Sequence, residues 1–434
     1  MTEMRMSLRK FRVNFGRGLS RLRQRLSASD NRFLTFLAIL GPGIIAASSG
    51  NEASGIATYS TAGAEYGYTL LWSFIPMTIC FVVAQEMCVR MGVVTGKGLA
   101  DLIRENFGVR WTALIMLALL IANAGIIVAE FVGIAQASEL FGISRYFSVP
   151  ITAIAVWWLV VKGTPKTVEQ IFLLMSLIFL TYIVSAFLAK PEWSQVGREF
   201  VTPSFNFQSG YLFTVMALIG TTITPFMQVF VQSSVVEKGL DKSDYKNARA
   251  DAIIGVFFAN IVAAFIVIAT AATLFKQGIK VETAADAAQA LTPVVGEYAK
   301  YLFGAGLFGA SMLAMGVLPL ATAYSLSEAL GFEKGLSHSF REAPIFIGIF
   351  SALTFFGAVV ALIPNIPQIK LLILTQSING VLLPFLLTAI VLLSSNREIM
   401  GDYANSLWFK ILAWLMTVVV SILSILLIFT TLFG

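Results

Sequence analysis

Histidine, cysteine and charged residues are all scarce in this chain of 434 residues. The one histidine, His338, lies in a polar connection, which excludes a histidine-based metal site, a histidine proton relay and a Ser-His-Asp hydrolase. The two cysteines, Cys80 and Cys88, fall in one predicted helix and indicate neither a disulfide framework nor a metal centre. Thr95–Gly98 resembles a phosphate loop only superficially, because it lacks the preceding glycine and any strand context. The sequence therefore predicts a protein that is not an enzyme and needs no cofactor.

Charged residues make up only 12% of the chain, whereas hydrophobic residues make up 57% and the mean hydropathy is +0.82. This composition predicts an integral membrane protein, because the apolar runs are long enough for helices of about 20 residues that cross a bilayer. We predict an all-α membrane protein with about eleven transmembrane helices. Their expected bounds are about 33–58, 67–93, 110–138, 146–163, 169–190, 209–236, 251–275, 297–330, 343–364, 369–395 and 406–433.

Basic residues are concentrated at the N-terminus, where nine of the 30 lysines and arginines lie in residues 1–32. The positive-inside rule predicts that this tail is cytoplasmic, and the predicted inner loops carry twelve basic residues against seven in the outer loops. Leucines and phenylalanines recur in the tail at near-helical spacing, which favours contact with anionic lipid. The net charge of +6 thus indicates the lipid bilayer as a partner, and no nucleic acid. The expected location is the plasma membrane, or the inner membrane of an organism with two, and the sequence carries no signal for oligomeric state.

A carboxylate interrupts the first predicted span, in the segment Ser48–Gly55. Glu52 falls near the bilayer midplane, where an ionised group costs roughly 2.5–3.5 kcal/mol or more. The surrounding serines and glycines weaken the helix, and a break there frees backbone carbonyls that a cation can bind. We interpret Asn51 and Glu52, with the carbonyls around Ser49, as the core of a cation site. The alternative is a glycine-rich packing face in which Glu52 bonds to a neighbouring helix.

The sixth predicted span is interrupted in a similar way, by threonines and a proline at Thr221–Pro225. Pro225 removes one backbone donor and frees a carbonyl one turn earlier. A plain proline kink is the alternative, but two breaks five helices apart are what a five-plus-five inverted repeat shows. The predicted transmembrane transporter domain covers 33–434, with repeat one at about 33–190, repeat two at about 209–395 and an extra helix at 406–433.

Further oxygen ligands are expected to converge on Glu52 from two other spans. The sixth span contributes Thr222, Thr224 and Gln228, and the tenth contributes Gln376 and Asn379. Carboxylate, amide, hydroxyl and carbonyl oxygens suit magnesium, manganese or calcium better than zinc or copper. A single carboxylate also suits a magnesium ion that keeps several of its waters.

Two other side chains near these positions have more than one interpretation. Glu130, the other buried acid, could be a proton-relay group, a wall of the aqueous path or a structural partner. Met227 lies beside the predicted ligands of the sixth span, and we interpret it as ordinary packing.

A series of short motifs runs along the chain. They are Gly41-Pro42-Gly43, Gly67–Trp72, Met91–Ala100, Thr375-Gln376, Leu383-Pro384-Phe385 and Met400–Tyr403. Together they resemble the NRAMP (natural resistance-associated macrophage protein) family of metal-ion transporters, over nearly all of residues 33–430. The resemblance implies a LeuT-like fold, in which the broken first and sixth helices hold the ion.

The chain departs from the family pattern within the site. The family's Asp-Pro-Gly-Asn motif falls on Glu52–Gly55, so the acid is retained with one more methylene and Gly55 takes the place of the usual asparagine. The family's Met-Pro-His motif falls on Thr224–Phe226, so the sulfur ligand and the proton-linked histidine are lost. The family has a pair of acids on the third helix, and Ile127 stands in place of one of them. The family's glutamine on the tenth helix is retained as Gln376.

Loss of the sulfur ligand relaxes or inverts the preference for transition metals over alkaline earths. The chain therefore resembles the NRAMP-related branch that carries magnesium and manganese. We predict a secondary transporter that moves Mg²⁺ and Mn²⁺, as substrate and in part hydrated, by alternating access with little or no proton coupling. One alternative is a LeuT-like carrier of an amino acid or another small organic solute. The other is a sensor or degenerate transporter that binds ions without moving them.

Overall fold

The computed structural model is helical throughout the part of the chain that it describes, and no strand is found there. The predicted N-terminal tail and the first residues of the first predicted span lie outside the described residues. The described residues are 41–433 without 164, 177–179, 283, 290–298, 337–340 and 365–367.

The helices are numbered in chain order. The first half of the chain contains α1 (Pro42–Ser48), α2 (Ala53–Tyr66), α3 (Phe74–Thr95), α4 (Leu99–Leu140), α5 (Arg145–Lys162), α6 (Pro165–Ser176), α7 (Leu180–Leu188) and α8 (Trp193–Val201). The second half contains α9 (Ser209–Thr222), α10 (Pro225–Glu237), α11 (Tyr245–Thr270, extended by a π turn at Ala271–Phe275), α12 (Ala284–Gln289), α13 (Ala299–Leu330), α14 (Pro344–Ala361), α15 (Gln368–Ser395), α16 (Arg397–Met400) and α17 (Leu407–Phe433).

Eight helices of the described chain are long and apolar enough to cross a membrane, and they correspond to the second, third, sixth to eleventh predicted spans. The other three predicted spans fall on the α1–α2 pair, on α5 and on the α6–α7 pair. One boundary and one segment differ from the prediction. The first helix continues to Tyr66, and residues 99–107 are helical where we predicted a loop. Gly108 is non-helical (φ 77°, ψ 170°) and separates these residues from the third span, so the predicted start of that span at about residue 110 agrees with the structure. The all-α membrane fold with broken first and sixth helices is confirmed.

The first break is a local consequence of its sequence. After α1, a short 3₁₀ turn covers Ser49–Asn51, and Glu52 then adopts an extended conformation (φ −64°, ψ 177°) before α2 begins. Serine, glycine and asparagine are weak helix formers because their side chains or backbone favour other conformations. The helix therefore stops and restarts around Glu52.

The second break follows from Pro225, the first residue of α10. A residue before proline is pushed away from helical angles, and Thr224 is extended (φ −62°, ψ 137°). Proline suits the first helical position because its missing N–H is not needed there. A helix thus ends at Thr222 and a new one begins at Pro225.

Glycines bring α15 against the second break. A Cβ atom on Gly220 of α9 would overlap the carbonyl oxygen of Gln376, and one on Gly380 would lie 2.5 Å from the carbonyl oxygen of Met216. The backbones of α9 and α15 therefore touch directly. This close packing places Gln376 at the level of the breaks.

Candidate metal-ion site

Glu52 lies at the first break with its side chain fully buried. Its Oε1 atom accepts a hydrogen bond of 2.5 Å from Nε2 of Gln376, on α15. Its Oε2 atom is buried and has no hydrogen-bond partner among the described residues. A buried carboxylate oxygen without a partner is costly, so this atom favours a bound cation.

Asn379 orients the amide of Gln376. Its Nδ2 atom donates to Oε1 of Gln376 at 3.2 Å, so the Gln376 amide is held from one turn away on α15. The Oδ1 atom of Asn379 is itself buried without a partner among the described residues. The tenth span therefore contributes one amide bonded to Glu52 and a second amide oxygen available to a ligand.

The second break lies against the first. Oγ1 of Thr221 donates to the carbonyl oxygen of Gly50 at 3.2 Å, and the Thr222 hydroxyl lies 3.2 Å from the Tyr59 hydroxyl on α2. The Thr224 hydroxyl donates back to the carbonyls of Gly220 and Thr221, at 2.8 and 3.1 Å. Its oxygen lone pairs remain the atoms through which it could bind an ion.

Gln228 is a second unpartnered group near the breaks. It follows Pro225 within the first turn of α10, is fully buried, and neither atom of its amide has a hydrogen-bond partner among the described residues. Buried amides are normally paired, so Gln228 is a further oxygen donor that the fold leaves available.

Three predicted residues of the first span make contacts of a different kind. The Ser49 hydroxyl donates to the carbonyl of Ala46 at 2.6 Å, which joins the 3₁₀ turn to the last turn of α1. Nδ2 of Asn51 donates to the carbonyl of Ala259 on α11 at 3.1 Å, which leaves Oδ1 as the atom through which it would bind. Gly55 provides space, because a Cβ atom there would overlap the carbonyl oxygen of Gly50.

Glu130, on α4, caps the start of α2. Its Oε2 atom accepts the backbone N–H of Ala53 at 3.0 Å, and its Oε1 atom accepts the backbone N–H and hydroxyl of Ser54 at 3.2 and 3.1 Å. Glu52, the residue before α2, makes no cap of its own. The contacts of Glu130 are those of a structural partner, and its charge suits the positive end of a helix dipole.

The electrostatics favour a cation. Glu52 and Glu130 flank the start of α2, and within the described part of the chain neither makes an ion pair with lysine or arginine. That part also holds no group of three or more His, Cys, Asp or Glu side chains able to hold a metal. An ion bound here would therefore use amide, hydroxyl and carbonyl oxygens beside the Glu52 carboxylate.

The sequence did not predict two features of the site: the hydrogen bonds that join the two breaks, and the cap on the first residues of α1. The sequence marks Thr221 only as part of the interruption, although a polar residue beside a broken helix is a candidate for pairing with free carbonyls. Tyr59 lies seven residues after Glu52, which places it two turns along the same helix face.

Asp251 caps α1 by accepting the N–H groups of Gly41 and Gly43 at 3.1 and 2.7 Å. Nothing in its local sequence indicates this role.

The family model for natural resistance-associated macrophage protein-like (Nramp) proteins matches residues 43–430. The chain belongs to the Nramp family. The match covers both breaks and the helices that supply Glu130 and Gln376, so the predicted family membership is confirmed.

Named Nramp relatives extend over most of this chain. It is 27% identical to the divalent metal cation transporter MntH of Deinococcus radiodurans, over 88% of this chain and 88% of that protein. It is 26% identical to MntH of Bacillus subtilis, over 92% and 93% of the two chains. The fold resembles the manganese transporter of Eremococcus coleocola with a TM-score of 0.73, 20% identity, and coverage of 91% of this chain and 87% of that one.

Proposed function

We propose that this Nramp protein is a secondary transporter of divalent metal cations that works by alternating access, with Mg²⁺ and Mn²⁺ as substrates. The observation that carries the proposal is the Oε2 atom of Glu52, which is buried at the junction of two broken helices and has no hydrogen-bond partner in the described part of the chain. Two relatives over most of the chain are named divalent metal cation transporters, which supports the same cargo class.

The donor set supports a hard ion. Within the described residues, the oxygens without a hydrogen-bond partner are Oε2 of Glu52 and the amide oxygens of Gln228 and Asn379. The further oxygens that an ion could use are the Thr222 and Thr224 hydroxyls, the carbonyls at the breaks and Oδ1 of Asn51. All of these are oxygens, which Mg²⁺ and Mn²⁺ prefer. One carboxylate and several neutral oxygens suit an ion that keeps some of its waters.

Met227 lies close to these oxygen donors, and its contact with Gly50 supports its interpretation as a packing residue. A Cβ atom on Gly50 would overlap the terminal methyl of Met227 and lie 3.5 Å from its sulfur. The methionine thus covers the bare glycine of the first break. A flexible thioether commonly fills such irregular gaps.

Transport requires a conformational change, because Glu52, Gln228, Gln376 and Asn379 are all fully buried. An ion can reach them only when the helices around the breaks move. Movement that opens one side at a time is the alternating-access behaviour expected of inverted-repeat transporters.

Little or no proton coupling is proposed. The chain has no histidine other than His338, and both oxygens of Glu130 accept hydrogen bonds from α2. The membrane potential would instead drive entry, at about 2.3 kcal/mol per charge for each 100 mV.

An organic-solute carrier is not favoured. LeuT-like sites bind the carboxylate of an amino acid at the N-terminus of a half-helix. Here the first N–H groups of α2, from Ala53 and Ser54, are already bonded to Glu130. A substrate carboxylate would also meet the charge of Glu52.

The deciding experiment is ion uptake into proteoliposomes that contain the purified protein. We expect Mg²⁺ and Mn²⁺ to enter, and amino acids neither to enter nor to raise the melting temperature. Absence of flux for both ions, with binding retained, would favour a sensor, and stabilisation by an amino acid would favour the organic-solute carrier.

A further inference from the structure

Glu328 is a buried carboxylate far along the chain from the metal-ion site. It lies near the end of α13 and is 1% exposed. Its Oε1 atom accepts the Ser233 hydroxyl of α10 at 2.7 Å and lies 3.1 Å from Nζ of Lys334. Its Oε2 atom accepts the N–H of Ala100, in the first turn of α4, at 3.1 Å. One carboxylate therefore joins three helices and the loop after α13.

The start of α4 is shaped to receive this carboxylate. Gly98 precedes the helix, and any Cβ atom there would overlap the carboxyl group of Glu328. The carboxylate lies on the positive end of the α4 dipole, where a negative charge is stabilised. Lys334 also pairs with Asp101 of the same turn, at 2.5 Å.

Two other residues of α10, Gln232 and Glu237, hold it in the same place through three hydrogen bonds. Nε2 of Gln232 donates to the carbonyl of Lys97 at 2.9 Å, just before α4. Glu237, at the end of α10, accepts the N–H of Leu336 at 2.6 Å and the hydroxyl of Tyr324 on α13. The second half of α10 is thus fastened to α13 and to the approach to α4.

The inverted repeat gives this arrangement a counterpart. The third and eighth spans are equivalent across the repeats, as are the broken first and sixth helices. Glu130, on the third span, bonds to the second half of the first helix, and Glu328, on the eighth, bonds to the second half of the sixth. Glu130 meets the first residues of α2, whereas Ser233 lies about 12 Å beyond Pro225 along α10.

The two glutamates bond at different distances from the breaks, so they hold different parts of the broken helices. Glu130 holds α2 at the level of the ion, and Glu328 holds the part of α10 that leads away from the ion toward the predicted inner face. The α4 and α13 helices that carry them are themselves joined, by a 2.9 Å hydrogen bond from Asn123 to Thr322. They form a common frame against which α10 can move.

We propose that Glu328 is the inner latch of this transporter, a positioning residue whose bond to Ser233 holds α10 closed and must break before the ion leaves toward the cytoplasm. This inference rests on the proposed alternating-access transport. It assigns to one carboxylate a control of ion exit that is separate from ion binding.

Spin-label distances test the latch without any ion present. Labels are placed on Arg110→Cys of α4 and Lys242→Cys after α10, both exposed, with the buried Cys80 and Cys88 replaced by alanine. Glu328→Gln and Ser233→Ala are expected to raise the ratio of long to short distances by about tenfold, the effect of losing one hydrogen bond to a charged group. Ser233→Ala removes only one hydroxyl group, so it still tests the bond between Ser233 and Glu328 if the Glu328→Gln variant folds poorly.

Glu105→Gln is the matched control. Glu105 is an exposed acid of α4 that pairs with Lys97, and among the described residues it makes no hydrogen bond or ion pair with α10. The distribution of distances between the two spin labels in Glu105→Gln should equal that of the parent protein. If both latch variants also keep the parent distribution, Glu328 is not the latch. If the distances respond while Mg²⁺ and Mn²⁺ fail to cross the membrane, the proposed function fails and the latch stands.

Discussion

Gln376 donates its amide to one oxygen of Glu52 and leaves the other oxygen of the same carboxylate buried without a partner among the described residues. The two residues are 324 positions apart in sequence. The donated bond fixes the direction of the carboxylate, and the unpartnered oxygen gives it something to bind. A cation at this oxygen would remove the cost of burying an uncompensated charge.

Replacing Glu52 by glutamine should abolish metal binding while the protein stays folded. We expect Mg²⁺ and Mn²⁺ uptake to fall by about 100-fold or more, since a hydrogen bond or ligand bond to a charged group is lost. The metal-induced rise in melting temperature should disappear, as measured by thermal unfolding in detergent. The melting temperature without metal should stay equal or rise, because a buried unpaired charge is gone.

Glu65→Gln is the control for this variant. Glu65 is exposed near the end of α2, the helix that begins directly after Glu52, so its replacement should leave uptake unchanged. Metal-induced stabilisation that persists in Glu52→Gln would show that the ion binds elsewhere.

Replacing Thr221 by valine should loosen the junction of the two breaks. The variant keeps the shape but removes the hydrogen bond to the Gly50 carbonyl, which contributes about 1 kcal/mol. We expect a lower melting temperature and weaker Mn²⁺ binding by calorimetry. Thr61→Val is matched to it, because the Thr61 hydroxyl is buried without a hydrogen-bond partner among the described residues and its loss should be neutral or stabilising. Equal effects of the two variants would contradict the assignment.

Replacing Glu130 by glutamine should destabilise α2. A neutral amide has one acceptor oxygen, whereas the carboxylate uses both oxygens to accept bonds from Ala53 and Ser54. The expected loss is about 1–3 kcal/mol, measured as a lower melting temperature with and without metal. A variant that keeps its stability and instead changes the pH dependence of uptake would make Glu130 a proton-relay group.

Metal entry should not carry protons. We expect no acidification inside proteoliposomes while Mg²⁺ or Mn²⁺ enters, read by an enclosed pH-sensitive dye. An imposed potential, negative inside, should increase accumulation, because each charge gains about 2.3 kcal/mol per 100 mV. Acidification that follows metal entry, and is absent in Glu52→Gln, would overturn this prediction.

Replacing Met227 by leucine tests whether sulfur binds the ion. Since Met227 packs against Gly50, the swap should leave both Mg²⁺ and Mn²⁺ uptake within about twofold of the parent rate. A selective loss of Mn²⁺ uptake, with Mg²⁺ uptake retained, would show that the thioether is a ligand.

Local sequence was sufficient to predict where the helices break. Proline at position 225 and the serine- and glycine-rich segment around Glu52 act on their immediate neighbours, and the structure has both breaks there. The helical segment before Gly108 was not predicted, because polar residues such as Asp101 and Glu105 favour a loop in the sequence, whereas the structure pairs them with Lys334 and Lys97.

The sequence by itself determined the class of protein, the two breaks and the presence of a carboxylate with oxygen donors nearby, because hydropathy and helix-breaking residues act over one or two turns. Only the tertiary structure decided which atoms of those residues are available. Packing between α9 and α15 brings Gln376 to Glu52, α11 takes up the amide of Asn51, and α2 occupies both oxygens of Glu130. Hydrogen bonds between distant helices assign each polar atom to a partner or leave it without one, and that choice is not encoded at any single position of the chain.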